Sequence, residues 1–321
     1  MPQIPVSAIQ FSDVQSAAER MRHIVRRTPV FTSRTLDALT GASILFKCEN
    51  FQRGGAFKIR GAANFVLSIP KDQLEHGVVT YSSGNHGQAV AIAAESLGIP
   101  ASVVMPADAP ASKLAATRAH GAQIVTYDRA AEDREAIAQQ IARETGATIV
   151  PPYDHPWTIA GQGTAVLELL EEAPDIDALV IPIGGGGLIS GSSIAAHAIR
   201  AGIRVFGVEP ERGDDALLSL RAGSRVEVPL PETIADGLRA TKPGALTFPI
   251  IQEHVEDIVL VSDAEIRAAM TFLLARMKIL VEPSGAASAA AVLYHRLPGD
   301  LRRIGVILSG GNVDLEYLRT L

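Results

Sequence analysis

The chain has 321 residues, of which 47% are hydrophobic and 20% charged, with 28 glycines and 19 prolines for punctuation. That make-up suits one large α/β domain or two lobes sharing a cleft, and it excludes a minimal single-core domain, a disordered chain and a fibre. Lys and Arg number 29 against 35 Asp and Glu, a net charge of −6 with no basic block, so nucleic acid is not an expected partner.

In chain order, the opening MPQIPVSAIQFSD lacks a basic stretch followed by an apolar one, so no signal peptide is expected. The single cysteine, Cys48, can form neither an internal disulfide nor a cysteine metal site, which suits a reducing compartment and a cytoplasmic location. Beyond it, strand-like apolar runs alternate with helical patterns, the signature of βαβ units and a largely parallel sheet. Residues 77–81 (GVVTY) lead into a helical pattern over 88–97, residues 101–105 (ASVVM) into 112–120, and residues 123–127 into 129–145. Gly98, Gly121 and Gly146 stand where left-handed helix ends are wanted. Residues 178–183, 204–209 and 303–308 read as further buried strands, because they are short, apolar and followed by turn residues. The uncharged run 178–199 has the length of a membrane span. Pro182, Gly184 to Gly187 and the serines 190, 192 and 193 interrupt it, so it reads as strand, loop and helix, and no membrane association is expected. No internal repeat or low-complexity linker is present.

Four segments differ from ordinary core. In the first, NFQRGGAFKIRGA, a glycine pair and Ala56 precede Phe57 and Lys58 at a helix start. An amine held there among small residues has its pKa lowered by the helix dipole and by desolvation, as a Schiff-base lysine requires. The second, SSGNHG over residues 82–87, follows a strand and opens a helix; it can serve as a plain N-cap or bind a carboxylate. In the third, Gly184, Gly185, Gly186 and Gly187 follow the strand ALVIPI, and their N–H groups with the next helix dipole suit a phosphate. Glu209 at the end of RVFGVE mimics a dinucleotide unit, yet the G-x-G-x-x-G frame places Ile189 or Ser190 at its third glycine. The fourth, ILSGGNVD, puts Ser309 at the carboxyl end of a strand, where ligands of open α/β sheets collect.

Lys58 within NFQRGGAFKIRGA, then SSGNHGQA, GGGGLISG, VEP and SGGNVDL, in this order and spacing, resembles the fold type II pyridoxal-phosphate family of threonine and serine ammonia-lyases and serine racemases. The resemblance spans nearly the whole chain. It implies a two-lobed α/β fold like the tryptophan synthase β subunit, with mostly parallel open sheets flanked by helices. Residues 1–50 and 151–321 would form the large cofactor-binding lobe and residues 51–150 a small inserted one. By the same resemblance Lys58 carries the cofactor, Phe57 packs near its ring, Gly184 to Gly187 cradle its phosphate and Asn85 bonds its ring hydroxyl. Ser309 would meet the pyridine nitrogen; a neutral hydroxyl there weakens the electron sink and favours fast expulsion of a β-leaving group. The substrate carboxylate would sit on Ser82, Ser83, Asn85 and His86, and the freed Lys58 would take the α-proton. Ser83 aligns with the racemase serine on the opposite face of the substrate.

Glu209, Gly213 and Asp215 match the divalent-cation site of the racemase-like branch, for Mg2+ or Ca2+. Arg134 stands where racemases and 3-hydroxyaspartate ammonia-lyases place an arginine that meets a second carboxylate, a task suited to a guanidinium. The stretch PPYDHP with IAGQGT also resembles the hydroxyaspartate branch, whereas DGLRAT over residues 236–241 is closer to the threonine and serine enzymes. The first expectation is therefore elimination of water from L-threonine or L-serine to a 2-oxo acid and ammonia. A 3-hydroxyaspartate ammonia-lyase giving oxaloacetate comes next, then a serine racemase with lyase side activity. A dinucleotide-dependent oxidoreductase and a non-catalytic amino-acid sensor are the alternatives from other classes. The expected partners are a small amino acid and further copies of the chain, as a homodimer or higher homo-oligomer.

Overall fold

The computed structural model describes residues 9–82, 84–109, 111–128 and 131–321, without the side chains of 111 and 112. Among these residues the strands are β1 (Val30–Thr32), β2 (Ser43–Cys48), β3 (Val78–Tyr81), β4 (Ala101–Pro106), β5 (Gln123–Tyr127), β6 (Thr148–Ile149), β7 (Ala178–Pro182), β8 (Arg204–Pro210), β9 (Asp257–Val261) and β10 (Arg303–Leu308). Six make one sheet in the order β1-β2-β10-β7-β8-β9, parallel except that β1 runs against β2. The other four make an all-parallel sheet, β5-β4-β3-β6. The expected α/β class with mostly parallel sheets is the fold observed.

The reason lies in the strand sequences. Every residue of β7 (ALVIP) is buried, and so is β10 (RIGVIL) after its first position, so both faces of the sheet need helical cover. Helix Pro283–Leu293, rich in alanine, covers one face, and helix Gly187–Ile199 follows β7 directly. The long uncharged run is thus divided into β7, a glycine loop and a helix, and no helix of the described residues is long and apolar enough to cross a membrane.

Helix boundaries differ from the apolar pattern where polar residues set the ends. The helix expected over 88–97 starts at Asn85, because its first turn is polar and only later turns show periodicity. The one expected over 129–145 starts at Arg134, where the Asp133 carboxylate accepts the N–H groups of Glu135 and Ala136 as an N-cap. Gly98, Gly121 and Gly146 all take left-handed backbone angles, as the sequence predicts.

Helix Lys58–Ser68 packs on helices Asn85–Leu97 and Pro156–Glu172, and a buried ionic group fixes it. The Arg60 guanidinium, fully buried, gives two hydrogen bonds to Glu49 (2.7 and 2.8 Å) and two to Glu168 (2.7 and 2.8 Å). Lys47 Nζ adds a 2.6 Å bond to Glu168, and the Thr28 hydroxyl one of 2.6 Å to Glu49. Burial alone would raise the Glu168 pKa, yet Arg60 and Lys47 hold it below the usual carboxylate range. Truncating Arg60 strands buried Glu49 without its countercharge. We expect Arg60→Met to lower stability by about 3–5 kcal/mol in urea unfolding; an unchanged midpoint would show that the group is not a structural anchor.

Candidate active site

Four of the segments singled out in the sequence lie at carboxyl ends of parallel strands: Ser82 and residues 84–86 after β3, 184–187 after β7, 209–215 from the end of β8 and 309–312 after β10. This is the end of an open α/β sheet where ligands collect. Lys58 begins its helix, and two backbone links staple that start to the end of β10. Phe57 N–H donates to the Ser309 carbonyl at 3.0 Å, and Gly311 N–H to that of Gly55 at 2.8 Å. Between them Ala56 and Gly310 form an isolated antiparallel bridge.

The Lys58 amine donates to the Pro152 carbonyl at 2.9 Å and lies 5.1 Å from the centre of the Phe57 ring. With no carboxylate to offset the loss of water, burial pushes it down to about 8, within reach of the free base near neutral pH. The next residue along, Tyr153, lies over the glycine loop: a Cβ on Gly185 would run into its ring, and one on Gly187 would meet the Tyr153 Cβ at 3.0 Å. Among the described residues, the N–H groups of Gly184 to Gly187 donate to no backbone carbonyl. Four free donors at the start of helix Gly187–Ile199 fit a phosphate in charge and in shape.

Asn85 opens helix Asn85–Leu97, and Ser309 follows the end of β10. Asn85 Nδ2 donates to Glu282 Oε1 at 2.7 Å, and its Oδ1 accepts from Asn312 Nδ2 at 2.9 Å. Ser309 is buried, and its hydroxyl lies 3.4 Å from the Ser284 carbonyl. Sequence reasoning did not single out Glu282. It is buried ahead of helix Pro283–Leu293, and burial, reinforced by Asp236, pushes its carboxyl up to about 8, so it is largely protonated at neutral pH. Its only signal in the sequence is an acid between apolar Val281 and a small-residue helix.

In the segment after β3, the Ser82 hydroxyl accepts from Gly84 N–H at 3.3 Å. Ser83, the expected second proton carrier, lies outside the described residues. His86 does not offer its ring to the surface: Nε2 bonds the Val150 carbonyl at 3.0 Å, Nδ1 has no partner, and burial together with Lys58 pushes the ring down to about 3. It is a neutral imidazole, so any contribution to anion binding comes through its backbone. Arg134 is exposed at the first turn of its helix, with its guanidinium 5.7 Å from the centre of the Tyr81 ring, one residue before Ser82. Among the described residues it makes no ion pair. Burial pushes the Tyr81 phenol up to about 12 and also raises that of Tyr153; the Glu135 carboxylate adds to both shifts and the Arg134 charge opposes them.

Glu209, at the end of β8, and Asp215, opening helix Asp215–Ala222, face one another and are both buried. Glu209 accepts the N–H groups of Ala216 and Leu217 at 3.0 and 2.9 Å, whereas neither oxygen of Asp215 has a hydrogen-bond donor. Burial and mutual repulsion raise the Glu209 carboxyl well above its usual range, and burial raises that of Asp215. Gly213 lies in the turn between them, its N–H on the Pro210 carbonyl.

Residues 21–310 match the family model described as "Pyridoxal-phosphate dependent enzyme". The chain belongs to this family. It is 50% identical to the L-threo-3-hydroxyaspartate ammonia-lyase of Saccharomyces cerevisiae, over 97% of this chain and 95% of that protein. It is equally 50% identical to the serine racemase of Schizosaccharomyces pombe, over 95% of each. The structure of maize serine racemase superposes with a TM-score of 0.94 at 44% identity, covering 98% of this chain and 96% of that one. The fold type II architecture and the dependence on pyridoxal phosphate follow.

The buried Glu282 makes stability depend on pH. In the unfolded chain its carboxyl ionises near 4.5 and in the folded one near 8, so between these values only the folded state holds the proton. Stability present below about pH 4.5 is therefore lost as pH rises towards 8, by at most roughly 1.4 kcal/mol per unit. Glu282→Gln keeps an oxygen for Asn85 and has no proton to lose. We expect its urea midpoint to fall less steeply from about pH 5 to 8 than that of the unsubstituted protein; identical slopes would mean that Glu282 is ionised in the fold.

Proposed function

We propose that the protein is an ammonia-lyase that eliminates water from 3-hydroxyaspartate, the released enamine then taking up water to give oxaloacetate and ammonia. The observation that carries this over a threonine- or serine-specific reading is the Arg134 guanidinium, placed over Tyr81 beside the Ser82 loop and free of any carboxylate among the described residues. A guanidinium so placed can take the second carboxylate of a dicarboxylic substrate, which serine and threonine lack. The likeness to a hydroxyaspartate ammonia-lyase at 50% identity accords with this reading, but an equal likeness to a serine racemase leaves Arg134 to carry it.

The site fits the cofactor. Gly184 to Gly187 would hold its phosphate, Lys58 its aldehyde carbon, Asn85 its ring hydroxyl and Ser309 its ring nitrogen, with residues 51–150 and the rest of the chain closing around it as two lobes. When bound, pyridoxal phosphate supplies an electron sink for negative charge at the substrate Cα. Lys58 Nζ, which burial leaves able to shed its proton near neutral pH, would take the α-proton of the substrate. The Ser82 to His86 segment orients the α-carboxylate at the start of helix Asn85–Leu97, where N–H groups and dipole favour an anion. Phe57 lies against the Lys58 amine and Tyr153 against the glycine loop, so both rings would border the bound cofactor.

Glu209 and Asp215 fit a divalent cation, because it would neutralise two buried carboxylates, one of them without a donor, in place of the protons that burial otherwise favours there. Among the described residues no third His, Cys, Asp or Glu joins them, so carbonyl and water oxygens would complete the shell of a hard ion such as Mg2+ or Ca2+. The ion would stabilise the turn of residues 210–215 and lies outside the reacting groups.

Two measurements test this reading. Arg134→Ala should lower kcat/KM for 3-hydroxyaspartate by roughly a hundredfold while leaving L-serine turnover within about threefold. An unchanged ratio of the two, or a parent enzyme that prefers threonine or serine, would return Arg134 to the surface and favour the simpler lyase. Formation of D-serine from L-serine would point to the racemase instead. For the cation, a chelator should lower the unfolding temperature and magnesium restore it, a response that Asp215→Asn removes; a chelator without effect on the parent would eliminate the metal.

A further inference from the structure

The segment that presents the Pro152 carbonyl to Lys58 and the Tyr153 ring to the glycine loop continues into Asp154, which no step above employs. Its half-buried carboxylate accepts three backbone N–H groups from far along the chain: Ala245 and Leu246 at 2.8 Å each, and Thr247 at 3.2 Å. These open helix Thr247–His254, where four N–H groups lack helical partners and an anion is favoured. The same turn grips the glycine loop. Thr247 Oγ1 donates to the Gly185 carbonyl at 2.7 Å, and Gly244 N–H donates to the same oxygen at 3.3 Å.

The fit is close throughout. A Cβ on Gly244 would collide with Asp154 Oδ1, and one on Gly186 would lie 2.7 Å from Thr247 Oγ1. In a trans peptide the N–H points away from the C=O. Anchoring the Gly185 oxygen towards Thr247 therefore turns the Gly186 N–H to the opposite side. Gly186 takes a φ of +93°, which a side chain would resist.

We propose that Asp154 is a positioning residue for cofactor capture. Through residues 244–247 and the Thr247 hydroxyl it fixes the Gly185–Gly186 peptide, so that the loop presents its N–H groups to a phosphate before the phosphate arrives. This rests on the reading of Gly184 to Gly187 as the phosphate cradle. Asp154 touches neither cofactor nor substrate; it acts through the peptide that it holds. A carboxylate serves better than an amide here, because two oxygens share three N–H donors and the charge opposes the helix dipole.

The test is titration of the apoprotein with pyridoxal phosphate, followed by visible absorption, alongside thermal unfolding of the apo form. The proteins compared are the parent, Asp154→Asn, Asp154→Ala, Thr247→Val and, as a probe of the cradle, Gly185→Ala. We expect Asp154→Ala and Thr247→Val to weaken cofactor affinity by roughly tenfold or more, and Asp154→Asn by less. The phosphorus resonance of bound cofactor should move in Asp154→Asn, and kcat at saturating cofactor should fall by a smaller factor than affinity. A lowered apo unfolding temperature with unaltered affinity in Asp154→Asn and Thr247→Val would make Asp154 a helix cap alone and overturn the proposal. Weakened affinity in Gly185→Ala with none in the other variants would overturn it while sparing the cradle. Normal affinity in Gly185→Ala would overturn the cradle and the proposal together.

Discussion

Arg60 lies two residues beyond Lys58, and its guanidinium is shared between carboxylates from two other parts of the chain. Glu49 follows β2 of the six-stranded sheet and Glu168 belongs to helix Pro156–Glu172. A planar fork with paired acceptors on either side tolerates little rotation, so the first turn of the Lys58 helix has one orientation relative to the sheet. The energetic yield of such a group is modest, since burying four ionic side chains costs about as much as their attraction returns. Its geometric yield is larger. The reactive amine inherits its direction from a helix pinned by Arg60 and from the backbone links of Phe57 and Gly311 to the end of β10.

The segment of residues 151–155 plays the corresponding part on the far side of the cleft. It leaves the four-stranded sheet after β6 and enters helix Pro156–Glu172, and on the way it presents a carbonyl to Lys58, an aromatic ring to Gly185 and a carboxylate to residues 245–247. His155 then caps its own helix by accepting the Trp157 N–H. The amine and the anion-binding loop are thus referred to one short piece of backbone. The glycines of the loop answer a packing requirement as much as a chemical one, because Tyr153 lies where a side chain on Gly185 would have to be.

Residues with local signatures were legible in the sequence. Lys58 stood out by its small neighbours, Gly184 to Gly187 by composition and position after a strand, and Ser309 by its place at a strand end. The parallel sheets were legible for a similar reason, since buried strands such as β7 and β10 are continuous apolar runs. What escaped was every role created by contact at long range. Glu282 meets Asn85 across 197 positions and Asn312 meets it across 227, while Asp154 reaches its three N–H groups across 91 to 93. Each of these is an ordinary polar residue to a local reading. His86 shows the converse: its neighbours suggested a carboxylate-binding segment, and the fold turns its ring inward to Val150 and leaves it neutral.

The same burial that hides these groups determines what chemistry the cleft can support. Ser309 and Asn85 carry no charge, His86 is held neutral, Glu282 is held largely protonated and Tyr81 keeps its proton. Lys58 differs, because its amine changes protonation close to neutral pH. A reaction that needs one base on one face of the substrate is within the means of these residues, and loss of a β-hydroxyl after α-proton removal is such a reaction. Inversion at Cα needs a second proton carrier on the opposite face. Among the described side chains of this neutral shell none has a pKa suited to that task, so the shell as described favours elimination over inversion.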